Sequence, residues 1–122
     1  MHTVRILNTT RQTTLASQAG LADGPLSRSV GLIGQAALPE GSGLVIDPCT
    51  SIHMWFMRFA IDALYVAADG TVLRVVHNLR PWRIGPILLR SRYVVELPAG
   101  AAERSGTQPG DQLRLELVPT NA

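Results

Sequence analysis

The sequence predicts a predominantly β fold of the α+β class, a small closed or nearly closed barrel with two short helices. Three observations carry that reading. The apolar residues fall in short runs separated by Gly, Pro, Asp and Asn steps, the punctuation of a many-stranded β domain. Asp62–Ala67 and Thr71–His77 flank Ala68-Asp69-Gly70, and an Asp-Gly step between two such runs is a hairpin signal. Near the C-terminus, Gln112–Val118 alternates, with Leu113, Leu115 and Leu117 set to face inward and Arg114 and Glu116 outward.

The other elements follow in order. Val4–Leu7 and Thr13–Ala16 read as strands joined by the polar turn Asn8–Gln12. Asp23-Gly24-Pro25 reads as a helix start, with Pro25 at the first helical position. Leu26, Val30, Ile33 and Ala37 then form one apolar face, and Gly31 and Gly34 keep the helix short. Leu44–Ile46 and Ile52–Phe59 read as strands on either side of a 47–51 loop. Asn78–Ser91, with two prolines and a glycine among its arginines, reads as an irregular connection. Tyr93–Leu97 is a strand, Ala101–Ser105 a helix of one or two turns stopped by Gly106, and Pro109-Gly110 a turn. Seven or so short strands with two small helices suit a barrel.

At 122 residues the chain is read as one domain, 1–122, since single domains most often run to about 100–150 residues. No segment approaches the run of about 20 apolar residues that crosses a bilayer, and no membrane partner is expected. The start, MHTVRILNTTRQ, lacks the apolar core of a signal peptide. The single cysteine, Cys49, excludes an internal disulfide. Both features point to the cytoplasm, with export of a longer precursor left open. The net charge is only +2, yet the 70–95 stretch holds five arginines (Arg74, Arg80, Arg83, Arg90, Arg92) and no acid. Every Lys/Arg position is arginine, as in proteins of GC-rich genomes, so arginine in place of lysine is weak evidence of guanidinium chemistry.

An ordered series of residues carries a resemblance. It runs from Arg28-x-x-Gly31-Leu32 through Gly41-x-Gly43 to Ile52-His53-Met54-x-Phe56-Met57-Arg58-Phe59-x-Ile61-Asp62. It continues with Asp69-Gly70, Leu79-x-Pro81-Trp82-Arg83, Glu96-Leu97-Pro98-Ala99-Gly100 and Gly106-x-x-x-Gly110-Asp111. The set resembles domain-of-unknown-function family 192 of bacteria and archaea over about residues 5–118. The resemblance implies a small, mostly β domain and carries no settled activity. Ala60 stands where proline is common in the family, and Ile33 where methionine is common.

Two kinds of chemistry compete for the site. Cys49, His53 and Asp62 are the residue types of a nucleophile, a base and its orienter, which would make a small hydrolase. Cys49 and His53 with His77 or Asp62 would instead make a metal-dependent enzyme. Nothing in the spacing demands either, and a lone cysteine is more often a small buried hydrophobe. The expectation is therefore no metal and no cofactor. The second possibility is a binding module. Arg80, Trp82 and Arg83 sit on an irregular loop, Arg58 on a neighbouring run, and guanidinium forks suit carboxylate and phosphate oxygens while indole stacks on flat groups. The expected ligand is an anionic small molecule or an acidic protein partner. Nucleic acid is disfavoured, because aromatics are few and no nucleic-acid motif is present. The bland alternative is a solvated basic face, with Glu96 paired to one of its arginines. Sequence leaves the oligomeric state open.

Overall fold

The computed structural model describes residues 2–24, 32 and 35–119. It contains seven strands: β1 (His2–Asn8), β2 (Thr13–Ala22), β3 (Ser42–Ile46), β4 (Ile61–Val66), β5 (Val72–Leu79), β6 (Tyr93–Pro98) and β7 (Leu113–Leu117). Among the described residues one short helix, α1 (Ala101–Arg104), precedes β7. The helix expected around 25–37 lies mostly outside the described residues. Leu32 is buried, and 35–37 are irregular.

The strands form one sheet in the order β5-β4-β6-β3-β2-β1-β7. Every neighbouring pair is antiparallel except β2 with β3. The sheet curls into a half-barrel whose ends meet at one place. Thr71 bridges Gln112, and the Val72 amide donates to the Asp111 carbonyl at 2.8 Å. Gly70 makes that meeting possible: its φ is +90°, and a Cβ there would lie 2.6 Å from the Leu113 carbonyl oxygen. Gly70→Ala is accordingly expected to cost about 2–3 kcal/mol through strain and lost closure. Calorimetry would then show a midpoint lowered by roughly 5–10 °C; an unchanged midpoint would mean that the closure contributes nothing to stability.

The sheet buries apolar side chains on both faces. Val4, Ile6, Leu64, Val66, Val95 and Leu97 belong to one cluster, and Leu44, Ile46, Ala63, Tyr65, Val94 and Leu32 to the other. β4 is buried at all six positions and β6 at its first five, which is why each reads as an apolar run interrupted by a single acid, Asp62 or Glu96, rather than as an alternating strand. β7 sits at the sheet edge. Leu113 is buried and Leu115 partly so, but Leu117, expected inward, is 68% exposed. A buried polar knot fixes the far end of β1. Asp111 Oδ2 accepts from Asn8 Nδ2, Arg11 Nε and the Gln108 amide, each at 3.0 Å. Burial pushes the Asp111 carboxyl up, but these donors outweigh it and hold the group below the usual carboxylate range.

One expected strand is missing. Ile52–Phe59 turns at Trp55-Phe56 and bends at Arg58-Phe59, and only His53 makes a bridge, to Ile84. Phe56 has φ of 63°, outside any strand conformation. His53, Trp55, Met57 and Phe59 therefore do not share a face: Met54 and Met57 are buried, whereas Trp55 and Phe56 point to solvent.

Candidate functional site

The loop after β3 and the loop after β5 are stitched together along their backbones. The Met54 amide donates to the Arg83 carbonyl at 2.7 Å, and the Trp82 amide to the Met54 carbonyl at 2.8 Å. Gly85 donates to Ile52, and Leu88 to Thr50, each at 2.9 Å. Buried Tyr65 of β4 pins the pair from beneath, its hydroxyl donating to the Pro86 carbonyl at 2.7 Å. Gly85 is required there, because a Cβ would sit 2.5 Å from the Tyr65 oxygen. Burial first, with the nearby Cys49 adding to it, raises the Tyr65 hydroxyl to about 12, so it stays a donor at physiological pH.

This scaffold presents an aromatic ledge. Trp82 lies with its ring centroid 4.9 Å from Phe56, edge to face, and 5.9 Å from Trp55. His53 stacks beyond Trp55 at 6.3 Å, and its Nδ1 accepts from the Trp55 amide. Trp82 and Phe56 are 55% and 65% exposed, although both have left-handed backbone (φ 65° and 63°). For bulky residues that conformation costs about 1–3 kcal/mol each and persists where the surroundings enforce it, commonly at functional sites. Ile84, Ile87 and Leu89 extend the exposed apolar surface along the same loop. Arg58, Arg80, Arg83 and Arg90 are exposed there too, and none forms an ion pair among the described residues. Arg92 differs, holding Asp47 at 2.9 Å.

The structure thus brings Trp82 against the His53–Phe56 turn, with Arg80 and Arg83 flanking it in the chain and Arg58 two residues beyond Phe56. It does not assemble the other constellation. Asp62 is buried, and its carboxylate accepts the amides of Asn78 (2.9 Å), Gly100 (2.9 Å) and Ala102 (3.0 Å). No hydrogen bond joins it to His53, nor an ion pair to Arg58, among the described residues. The Cys49 thiol donates to the Ser51 carbonyl at 3.0 Å. No three His, Cys, Asp or Glu side chains gather in a metal-binding group among the described residues. Glu96 is buried, but among the described residues the expected pairing with an arginine of 80–92 does not form.

Sequence reasoning missed Phe56, Ile84, Ile87 and Leu89 as parts of this surface. The available signal was large apolar residues interleaved with arginine, proline and glycine, where a buried segment would carry no charge.

Comparison with known proteins places this geometry in a family. The model of family DUF192, described as an uncharacterized ACR family, matches residues 6–115. The chain belongs to the DUF192 family. A UPF0127 protein of Pyrococcus horikoshii is 29% identical over 114 residues, covering 89% of this chain and 96% of that protein. Among solved structures, a protein of unknown function from Novosphingobium aromaticivorans superposes with a TM-score of 0.75 at 21% identity, covering 92% of this chain and 83% of the other. A Sinorhizobium meliloti protein described as a candidate transcription regulator gives 0.72 at 28% identity, covering 93% and 92%. The half-barrel fold is therefore shared with these two solved structures, and no helix among the described residues is long and apolar enough to cross a membrane.

Proposed function

We propose that this DUF192 chain is a binding domain, and that the aromatic ledge with its arginines is the site of an anionic ligand. The observation that carries the reading is the pair Phe56 and Trp82. Two large rings are held in contact, solvent-facing, on left-handed backbone. Packing would ordinarily bury such rings or relax such backbone, so a fixed, exposed pair suits stacking against a ligand. Arg80 and Arg83 beside it would take carboxylate or phosphate oxygens as bidentate forks. A small hydrolase or metal-dependent enzyme built on Cys49, His53 and Asp62 has less support, since Asp62 is filled by three backbone amides.

Thermal unfolding against inorganic phosphate, nucleotides, short single strands and divalent metals tests the reading. A ligand at a hundred times its Kd adds about 2.7 kcal/mol, which raises the midpoint by several degrees. The expected result is a shift with a phosphate-bearing ligand that disappears in Trp82→Ala and Arg83→Ala and persists in Cys49→Ser. A shift with metal alone, abolished by Cys49→Ser, would overturn the proposal in favour of the enzyme.

A further inference from the structure

We infer that the ledge docks on an anionic bilayer surface, so that the ligand's negative groups are lipid phosphates; this rests on the binding-domain reading above. Six of the seven large hydrophobic side chains exposed among the described residues lie on the two stitched loops: Trp55, Phe56, Trp82, Ile84, Ile87 and Leu89. The aliphatic members decide the class of partner. Ile87 and Leu89 are 71% and 85% exposed and flank Leu88, which packs into the core beneath. Aromatic rings can stack on a base or a sugar, but three projecting aliphatic side chains have no such counterpart there. They match an acyl boundary, with tryptophan at the interface and arginine among headgroups. Along the loop, Arg83 and Arg90 bracket the aliphatic residues, Arg80 precedes them and Arg58 comes from the partner loop. Charge agrees. No acid occurs between Asp47 and Asp62 or between Asp69 and Glu96, so both loops are free of negative side chains that would oppose an anionic surface. Backbone stitching and the Tyr65–Pro86 bond hold the apolar tips in place before contact, so little ordering cost is added on docking.

Trp55 and Trp82 are the only tryptophans in the chain, so intrinsic fluorescence reports the ledge alone. The whole chain is mixed with vesicles of phosphatidylcholine, with or without phosphatidylglycerol, and followed by emission and co-sedimentation. The expected result is a blue shift and sedimentation with phosphatidylglycerol vesicles only, weakening as salt rises. Each arginine near an anionic surface contributes about 1 kcal/mol, so Arg83→Ala should weaken partition about fivefold. The double variant Ile87→Asp, Leu89→Asp should abolish it while its far-ultraviolet dichroism and melting stay those of the parent, because both side chains face solvent. Sedimentation left intact by the double variant would overturn the inference, as would light scattering showing a dimer whose tryptophans are already shielded. A response to inorganic phosphate or nucleotide with none to vesicles would overturn the bilayer and leave the binding-domain reading standing. Silence to vesicles and soluble anions alike would remove both.

Discussion

Replacing Asp62 by asparagine is expected to destabilise the fold by about 2–4 kcal/mol, because it takes one acceptor oxygen away from three backbone donors, one buried and two partly buried. Oδ1 takes the Asn78 amide at 2.9 Å, and Oδ2 takes Gly100 and Ala102 at 2.9 and 3.0 Å. Asparagine keeps one oxygen and turns an NH2 group toward N–H donors, leaving at least one amide unpaired. The amides come from two places distant in sequence: Asn78, next to last in β5, has φ of 53°, while Gly100, with φ of +94°, and Ala102 of α1 lie just after β6. Asp62 is thus the tie between the exit of β5 and the turn after β6. Against a total stability of about 5–15 kcal/mol, the midpoint should fall by about 10 °C or more. Thermal unfolding by circular dichroism measures this directly. A variant that melts with the parent but loses a chemical activity would contradict the structural role and restore Asp62 to the catalytic set.

Glu96→Gln is expected to stabilise the protein above neutral pH and to flatten its dependence on pH. Glu96 pairs across the sheet with Leu44 and Ala63 and lies on the face they share with Val94. Burial, with no charged neighbour offsetting it, pushes its carboxyl from 4.5 to about 7. In the unfolded chain the group ionises near its ordinary value, whereas in the folded chain it keeps its proton to about neutrality. Between those limits the folded state binds more protons, so its stability falls as pH rises through the window and levels off above about 7. Each tenfold change in proton affinity is worth about 1.4 kcal/mol, so the parent should lose roughly 3 kcal/mol across the window relative to the glutamine variant. Unfolding midpoints of both proteins from pH 4.5 to 7 check this, and parallel profiles would show that Glu96 is not the group that titrates.

The strands were legible because local rules and tertiary demands agree there. Asp69-Gly70 turns the β4–β5 hairpin as expected, and Tyr93–Leu97 falls within β6. Ile52–Phe59 misled because a run of large apolar residues has the composition of a strand whether or not its backbone is extended. Burial of Met54 and Met57 on either side of an exposed Trp55-Phe56 tip has no signature at period two. The arginines and Trp82 were visible as a loop with binding chemistry. Phe56 joined them only through folding, since it and Trp82 stand 26 positions apart in sequence and meet because Met54 and Trp82 share backbone hydrogen bonds.

Sequence alone determined that this chain is mostly β with a basic, tryptophan-bearing loop, because periodicity, turn chemistry and charge are local properties that survive without neighbours, and its ordered motifs carried the likeness to DUF192. Tertiary structure alone decided the order of the seven strands, the parallel β2–β3 pairing and the meeting of Gly70 with Leu113. It also decided what each charged group does. Asp62 became a backbone clamp and Glu96 a buried acid, while Arg83 stayed in solvent. A side chain's charge is written in the sequence, but its partners and its solvation depend on which distant segments the sheet brings beside it.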